Sequence, residues 1–218
     1  MAILDALPAR ALAARIIPRV SANYAATLGL APDLTSLGLI TADNDDALYV
    51  SIDEATKMAR VSVVYARSFY AGARHSSGTN SGEVIAMLAA ADPAELRAGM
   101  QAALAYLETR AFWYSAAPDD GVAFFPHVVS RIGSYLATLT GLPEGSPVAY
   151  LVAPPLEGCV ALDQALKAAE VRIAAYTAPP SETNFMGAIL TGEQSACEAA
   201  ALAFRDAVLD VASHPVKV

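Results

Sequence analysis

The chain has 218 residues, of which 55% are hydrophobic and 17% are charged, and its net charge is −8. This length suits one large domain or two domains of about 100 residues each. The acidic balance, without a basic stripe, argues against nucleic acid and against an anionic membrane as the main partner, and no apolar run approaches the roughly 18 residues of a membrane span.

The first predicted helix lies in RVSANYAATLGL, Arg19 to Leu30, and this segment has an echo in RIGSYLATLTGL, Arg131 to Leu142. The two segments align 112 positions apart (19 and 131). Both end in a glycine, Gly29 or Gly141, with a proline soon after. That order predicts a helix stopped by its glycine.

A strand is predicted next in each half, at Ser36 to Ile40 and at Val148 to Val152. The segments that follow, Thr41 to Asp46 and Ala153 to Gly158, are rich in turn-forming residues. We therefore expect two similar strands, each running into a turn.

The longest repeat follows these turns. IDEATKMARVSVV, Ile52 to Val64, aligns without a gap to LDQALKAAEVRIA, Leu162 to Ala174, 110 positions later (52 and 162). In both copies the apolar residues follow helical spacing first and a period of two afterwards, which predicts a helix running into a half-buried strand. A repeat of this length exceeds solenoid periods and indicates a duplicated domain.

Loops are predicted at Ala66 to Glu83 and Thr177 to Gly187, followed in each half by a strand and a last helix. Helix starts are predicted at three capping boxes, namely Ser51 with Glu54, Asp92 with Glu95, and Thr191 with Gln194. The junction at Glu108 to Pro126 divides the chain into predicted domains 1–110 and 111–218. The mixed order of elements and the short connections favour an α+β fold with mainly antiparallel sheets flanked by helices.

Catalytic motifs are missing from the sequence. There is no G-x-S-x-G, no G-x-G-x-x-G, no Walker loop and no His/Cys spacing of a metal site. The two cysteines, Cys159 and Cys197, are interpreted as reduced thiols, although a disulfide between them stays open. We therefore predict a protein that is not an enzyme and that has no cofactor and no metal.

Acidic residues gather after the first strand at Asp43, Asp45 and Asp46. One interpretation is a solvated turn, which Asp and Asn favour. The other is a small site for a cation, with Glu83 as a further carboxylate. An aromatic side chain nearby would complete a site for an ammonium group through a cation–π contact.

Two residues of the junction, Phe112 and Trp113, are candidates for that aromatic partner, and the alternative for Trp113 is a core position between domains. The polar run Ser181 to Asn184 is interpreted either as a plain turn or as a pore lining. In a symmetric ring a single loop meets its own copies at the axis, where its polarity sets selectivity.

Several collinear segments carry a family resemblance, namely SLGLITADNDD, DEATKMARVSVVYARSFYAG, GEVIAML, DPAELRAGM, HVVSRIGSYL, AYLVAPPLE and APPSETN. In order and spacing they resemble the EutL-type shell proteins of ethanolamine-utilising bacterial microcompartments. The resemblance implies two tandem, circularly permuted microcompartment shell domains, a flat homotrimer that imitates a hexagonal tile, and a location in the cytoplasm within the microcompartment shell. It also implies a gated central pore for metabolite or cofactor transport.

The resemblance further implies partners and site residues. Expected partners are other shell proteins, the encapsulated enzymes and a small amino alcohol, either ethanolamine or aminopropanol. The residues matching the small, substrate-binding pore are Asp45, Asp46, Glu83, Phe112 and Trp113. The residues matching the central pore and its gate are Phe69, Tyr70, Ser181, Glu182, Thr183 and Asn184. The rival hypothesis is a soluble small-molecule-binding regulator or enzyme built from a duplicated α+β domain.

Overall fold

The computed structural model describes residues 2–68, 84–118, 121–179, 181 and 184–216. In chain order the described elements are β1 (Ala6–Pro8), β2 (Ala11–Ile17), α1 (Ala22–Thr27), β3 (Ser36–Ala42), α2 (Asp45–Met58), β4 (Ser62–Ser68), β5 (Val84–Ala90), α3 (Pro93–Thr109), β6 (Phe112–Ser115), β7 (Ala123–Val129), α4 (Ser134–Thr140), β8 (Val148–Ala153), α5 (Pro155–Ala168), β9 (Val171–Thr177), β10 (Met186–Gly192) and α6 (Gln194–Ser213). None of these helices is long and apolar enough to span a membrane.

These elements form two compact units. The first unit comprises Pro8–Ala111 together with Gly133–Leu136, and the second comprises Met1–Leu7, Phe112–Ile132 and Ala137–Val218. The units are therefore not continuous in sequence, and the predicted domains 1–110 and 111–218 stay a prediction.

The first unit is built on a four-stranded sheet in the order β2-β3-β5-β4, with every pair antiparallel. Helices α2 and α3 pack together and against this sheet. Close approach requires small residues, since a Cβ on Gly38 of β3 would lie 2.3 Å from the Met100 sulfur of α3. The fully buried side chains of this core include Ile40, Leu48 and Leu88.

The second unit repeats this pattern and extends it. Its sheet has the order β1-β6-β7-β8-β10-β9, and α5 and α6 pack together and against the sheet. Its core is formed by buried residues such as Phe124, Leu151 and Phe204. The predicted α+β class with antiparallel sheets flanked by helices is confirmed.

The glycine stops of the first and fourth helices are confirmed. Gly29 follows α1 with φ of +65° and Gly141 follows α4 with φ of +68°. Side chains are disfavoured at such left-handed φ values, which is why glycine ends helices there.

Two of the three predicted capping boxes are wrong. Ser51 and Glu54 lie inside α2, and the Ser51 hydroxyl donates to the Ala47 carbonyl oxygen. Thr191 lies in β10 and its hydroxyl donates to the Pro147 carbonyl oxygen. The N-cap of α2 is instead Asn44, whose side chain accepts the Ala47 N–H, and α6 begins after Glu193.

The third box is half confirmed. Asp92 caps α3 by accepting the Ala94 N–H at 2.6 Å, with Pro93 in the first turn. Glu95 does not reach back to Asp92; it accepts the Arg60 N–H at 3.0 Å and pairs with the Arg60 guanidinium at 3.1 Å.

Candidate functional site

The acidic cluster lies at the start of α2, in the first unit. Asn44 is the N-cap and its side chain accepts the Ala47 N–H at 2.8 Å. Asp45 and Asp46 are the first two helical residues, and each is only 8% exposed. The interpretation of these two residues as a solvated turn is therefore wrong: both carboxylates lie in the first helical turn, next to the positive end of the helix dipole.

Asp43 is different from its neighbours. It precedes the helix cap, and its carboxylate accepts the Arg10 backbone N–H at 2.7 Å and pairs with the Arg10 guanidinium at 3.3 Å. Asp43 therefore fixes the entry into α2, whereas Asp45 and Asp46 form the buried acidic pair.

Two tyrosines accompany the acidic pair. The rings of Tyr49 and Tyr135 lie 6.0 Å apart, and the Tyr49 side chain hydrogen-bonds to Ser68. Burial, reinforced by the charges of Asp45 and Asp46, raises the pKa of Tyr49 to about 12. Burial also raises the pKa of Tyr135, again with a contribution from the acidic pair. At neutral pH both phenols are therefore uncharged beside two carboxylates.

Sequence reasoning missed Tyr49, Ser68 and Tyr135. The tyrosines follow no motif. Tyr135 is distant in sequence from the rest of the first unit, to which the structure assigns only the short segment 133–136 from this part of the chain. The helical spacing of Tyr49 from Asp45, one turn apart, was the single signal that could have linked them.

The candidate aromatic residues lie in the second unit, on β6. Trp113 is 6% exposed and its ring contacts Phe125 (centroids 5.7 Å apart, stacked) and Phe185 (5.1 Å, edge to face). Phe112 is half-buried, and the alternation of a strand turns it to the opposite side from Trp113. Trp113 thus belongs to an aromatic core, continued by the stacking of His127 on Phe125 at 5.0 Å.

Backbone hydrogen bonds join the two ends of the polar run in the second unit. The Ser181 N–H donates to the Phe185 carbonyl oxygen at 2.9 Å, and the Asn184 N–H donates to the Ser181 carbonyl oxygen at 3.1 Å. Asn184 has φ of +67°, a left-handed conformation that asparagine tolerates. Phe185, which follows the run, packs edge to face on Trp113.

The structure thus places Asp45 and Asp46 in one unit and Phe112, Trp113, Ser181 and Asn184 in the other. The remaining predicted site residues, Phe69, Tyr70, Glu83, Glu182 and Thr183, lie outside the described residues. Across the described part of the chain, no three His, Cys, Asp or Glu side chains are grouped to hold a metal ion.

Comparison with known proteins gives consistent matches. Residues 36–116 match the BMC domain family. The whole chain is 50% identical to the bacterial microcompartment shell protein EutL of Escherichia coli (strain K12), covering 99% of that protein. It is 52% identical to EutL of Clostridium perfringens (strain 13 / Type A), over 97% of this chain and 98% of the relative. The crystal structure of ethanolamine utilization protein EutL from Leptotrichia buccalis superposes with a TM-score of 0.96 at 49% identity, with full coverage of both chains.

Proposed function

Because the chain belongs to the EutL family of bacterial microcompartment shell proteins, we propose that it assembles as a pseudohexagonal homotrimeric tile with a gated central pore. The chain is a structural shell protein of ethanolamine utilisation and not an enzyme, so the rival hypothesis of a regulator or enzyme is set aside. The identity of about half of all residues over the full length carries this conclusion.

The proposed path through the tile is the central pore, gated by Phe69, Tyr70 and the run Ser181, Glu182, Thr183 and Asn184. The backbone hydrogen bonds of Ser181 with Asn184 and Phe185 support this role, since they hold the two ends of the polar run together. The tile would sit beside other shell proteins, and metabolites or cofactors would cross this pore toward the encapsulated enzymes. A ligand can shift such a gate only by its differential affinity for the open and closed states.

The small pore is proposed to bind an amino alcohol, ethanolamine or aminopropanol. Asp45 and Asp46, with Glu83, would hold its ammonium group by charge-assisted hydrogen bonds. The buried pair supports this because carboxylates shielded from water attract a cation more strongly than exposed ones do. Of the two predicted aromatic partners, Phe112 would offer its half-buried ring to the cation, whereas the Trp113 ring packs on Phe125 and Phe185.

Oligomer mass and imaging test the tile. We expect a trimer by sedimentation velocity and two-dimensional sheets of trimers under the electron microscope. A persistent monomer that forms no sheets would refute the tile.

Calorimetric titration with ethanolamine and aminopropanol tests the small pore. The variant Asp45→Asn/Asp46→Asn should lose at least about tenfold in affinity, since a charged hydrogen bond contributes about 1.5–3 kcal/mol. Asp43→Asn is the matched control, because Asp43 pairs with Arg10 and lies outside the buried pair. Equal affinity of the double variant and the native protein would disprove the site.

A further inference from the structure

A groove of about 460 Å³ lies in the second unit, between α6 and the strands β6 and β7. Its apolar lining includes Leu4 from the N-terminal segment, Tyr114 of β6, Val128 of β7 and Leu202 of α6. All of these residues belong to one compact unit. Ligand sites typically have volumes of about 300–1,000 Å³ and are mostly apolar with a few well-placed polar groups. The size and the lining of this groove are therefore those of a small-molecule site.

The helix side of the groove carries one acid and one base. Glu198, Ala201, Leu202 and Arg205 line the groove from α6, at spacings of three, four and seven residues from the first. Such spacings put all four on one helix face. Glu198 and Arg205 are two turns apart, which is about 10 Å along the helix axis. The groove thus offers a carboxylate at one end, a guanidinium at the other and an apolar middle.

Each charged side chain is oriented by a neighbour on the same helix. The Gln194 amide donates to one oxygen of the Glu198 carboxylate at 2.8 Å. Arg205 pairs with the Asp206 carboxylate through Nε and Nη2, each at 2.8 Å. Because a carboxylate has two acceptor oxygens and a guanidinium has five N–H donors, both groups keep hydrogen-bonding capacity for a ligand.

Leu4 reaches the groove from a strained backbone position. Its φ is +67°, a left-handed value that is unfavourable for a residue with a Cβ. The Leu4 N–H donates to the Ser115 carbonyl oxygen at 2.8 Å, and the Asp5 carboxylate accepts the Ala2 N–H at 2.7 Å, so the segment is held in this shape. The Leu4 side chain is nevertheless 40% exposed, so burial in the core does not explain the strain. Strained residues held by their surroundings cluster at binding sites.

The groove is not a feature that the duplicated helices share. Helices α3 and α6 align 101 positions apart (96 and 197), and their buried positions coincide. Ala201 stands where α3 has Met100, whose sulfur would lie 2.3 Å from a Cβ on Gly38 and so fills the space between helix and sheet. The shorter Ala201 opens the floor of the groove. The charges at its two ends are also specific to α6, since α3 has Arg97 and Leu104 at those positions.

We propose that this groove binds an elongated zwitterion, with an ammonium group at one end, a carboxylate at the other and an aliphatic chain between them. Glu198 holds the ammonium group and Arg205 holds the carboxylate, both by charge-assisted hydrogen bonds. The chain lies on Leu4, Tyr114 and Leu202. This site is independent of the homotrimer and of the small pore proposed above.

The apolar contacts supply most of the affinity. Leu202 is 52% exposed without a ligand, and an aliphatic chain in the groove would cover it together with Leu4. The two ion pairs lie at the surface, where each contributes little. Their main effect is to select the length and the end groups of the ligand.

Calorimetric titration of the assembled full-length protein with 8-aminooctanoate tests the groove. The extended chain of this compound matches the separation of the two charges. We expect 4-aminobutanoate to bind at least about tenfold more weakly, because it is shorter by four CH₂ groups and cannot span both ends. Octylamine and octanoate should each bind about two- to fivefold more weakly, because each lacks one ion pair. Absence of 8-aminooctanoate binding, or equal affinity for octylamine or octanoate, would overturn the proposal.

Substitutions in the groove locate the ligand. Glu198→Gln and Arg205→Gln should each weaken 8-aminooctanoate binding about two- to fivefold, and Ala201→Met should abolish it by giving α6 the larger residue of α3. Arg97→Gln is the matched control, because Arg97 is an exposed arginine on α3 in the first unit. Circular dichroism checks that each variant keeps its helices. Unchanged affinity in both charge variants would refute the groove, whether or not Ala201→Met folds.

The variant Asp45→Asn/Asp46→Asn separates this site from the proposed small pore. Binding of 8-aminooctanoate should persist in it, because the groove and the acidic pair belong to different units. Loss of binding in this variant but not in Glu198→Gln would assign the ammonium group to the acidic pair and refute the groove. Unchanged ethanolamine affinity in the same variant would disprove only the small pore, so the two proposals can fail separately.

Discussion

Asp53 offers the sharpest test of how the first unit is held together, and we expect Asp53→Ala to destabilise the chain by about 2–4 kcal/mol. The substitution leaves the buried N–H groups of Gly133 and Leu136 without their acceptor. Each unsatisfied buried group costs about 1–3 kcal/mol, which gives about 2–6 kcal/mol for the pair. Removing a buried carboxylate recovers part of this cost, because its desolvation is unfavourable.

Burial raises the pKa of Asp53, although the two N–H donors and Lys57 oppose the rise. Burying the ionised carboxylate therefore costs free energy in the folded state. For this reason the expected loss of stability in Asp53→Ala lies in the lower part of the range for two unsatisfied N–H groups. Asp53→Asn should be intermediate, since its amide oxygen still serves one of the two donors while its NH₂ group faces the other.

The measurement is urea unfolding followed by circular dichroism at one fixed protein concentration, because assembly makes apparent stability depend on concentration. Asp206→Ala is the control, as Asp206 is an exposed helical aspartate that pairs only weakly with its neighbour Arg205. It should change the free energy of unfolding by no more than about 0.5 kcal/mol. A loss below about 1 kcal/mol for Asp53→Ala, or equal losses for both variants, would refute the reasoning.

Three further predictions concern the same unit. Gly133→Ala should lower the thermal unfolding midpoint more than Gly141→Ala. A Cβ at Gly133 would lie 2.6 Å from the Asp53 carbonyl oxygen, whereas a Cβ at Gly141 would meet open space and would be disfavoured only by the positive φ of that residue. Equal midpoints for the two variants would contradict this. Because the pKa of Asp53 is raised in the folded chain, its contribution to stability should be complete below about pH 4, the unfolded pKa, and should fall as the pH rises through the folded pKa. In urea unfolding, the difference in stability between the native chain and Asp53→Ala should therefore shrink with rising pH. A difference that grows with pH would reverse the assigned direction of the shift. Comparing ultraviolet titrations of native protein and Tyr49→Phe should reveal the Tyr49 phenolate only near pH 12, and its appearance near pH 10 would show an exposed ring.

The local structure and the family could be predicted from the sequence, because both depend on patterns within short segments of the chain. The helix–strand repeat, the stops at Gly29 and Gly141 and the antiparallel α+β class follow from periodicity and backbone preference. The collinear segments that resemble EutL-type shell proteins extend over the chain, and the full-length identity confirms that prediction.

Helix starts and the acidic site needed the tertiary structure. The sequence offered Ser51 as a cap, yet α2 begins about two turns earlier (cap at 44 rather than 51), after Asn44, and its residues are buried from Asp45 onward. That earlier start carries Asp45 and Asp46 out of the predicted turn and into a buried first turn beside Tyr49.

The duplicated aspartates also separate what the sequence determines from what the tertiary structure decides. Asp53 and Asp163 stand at equivalent positions, each four residues before a lysine, and nothing local distinguishes them. The sequence by itself determined that both would lie on a helix. Only the tertiary structure decided that one is buried, because Gly133–Leu136, some 80 residues further along the chain, covers the face of one helix and leaves its twin open.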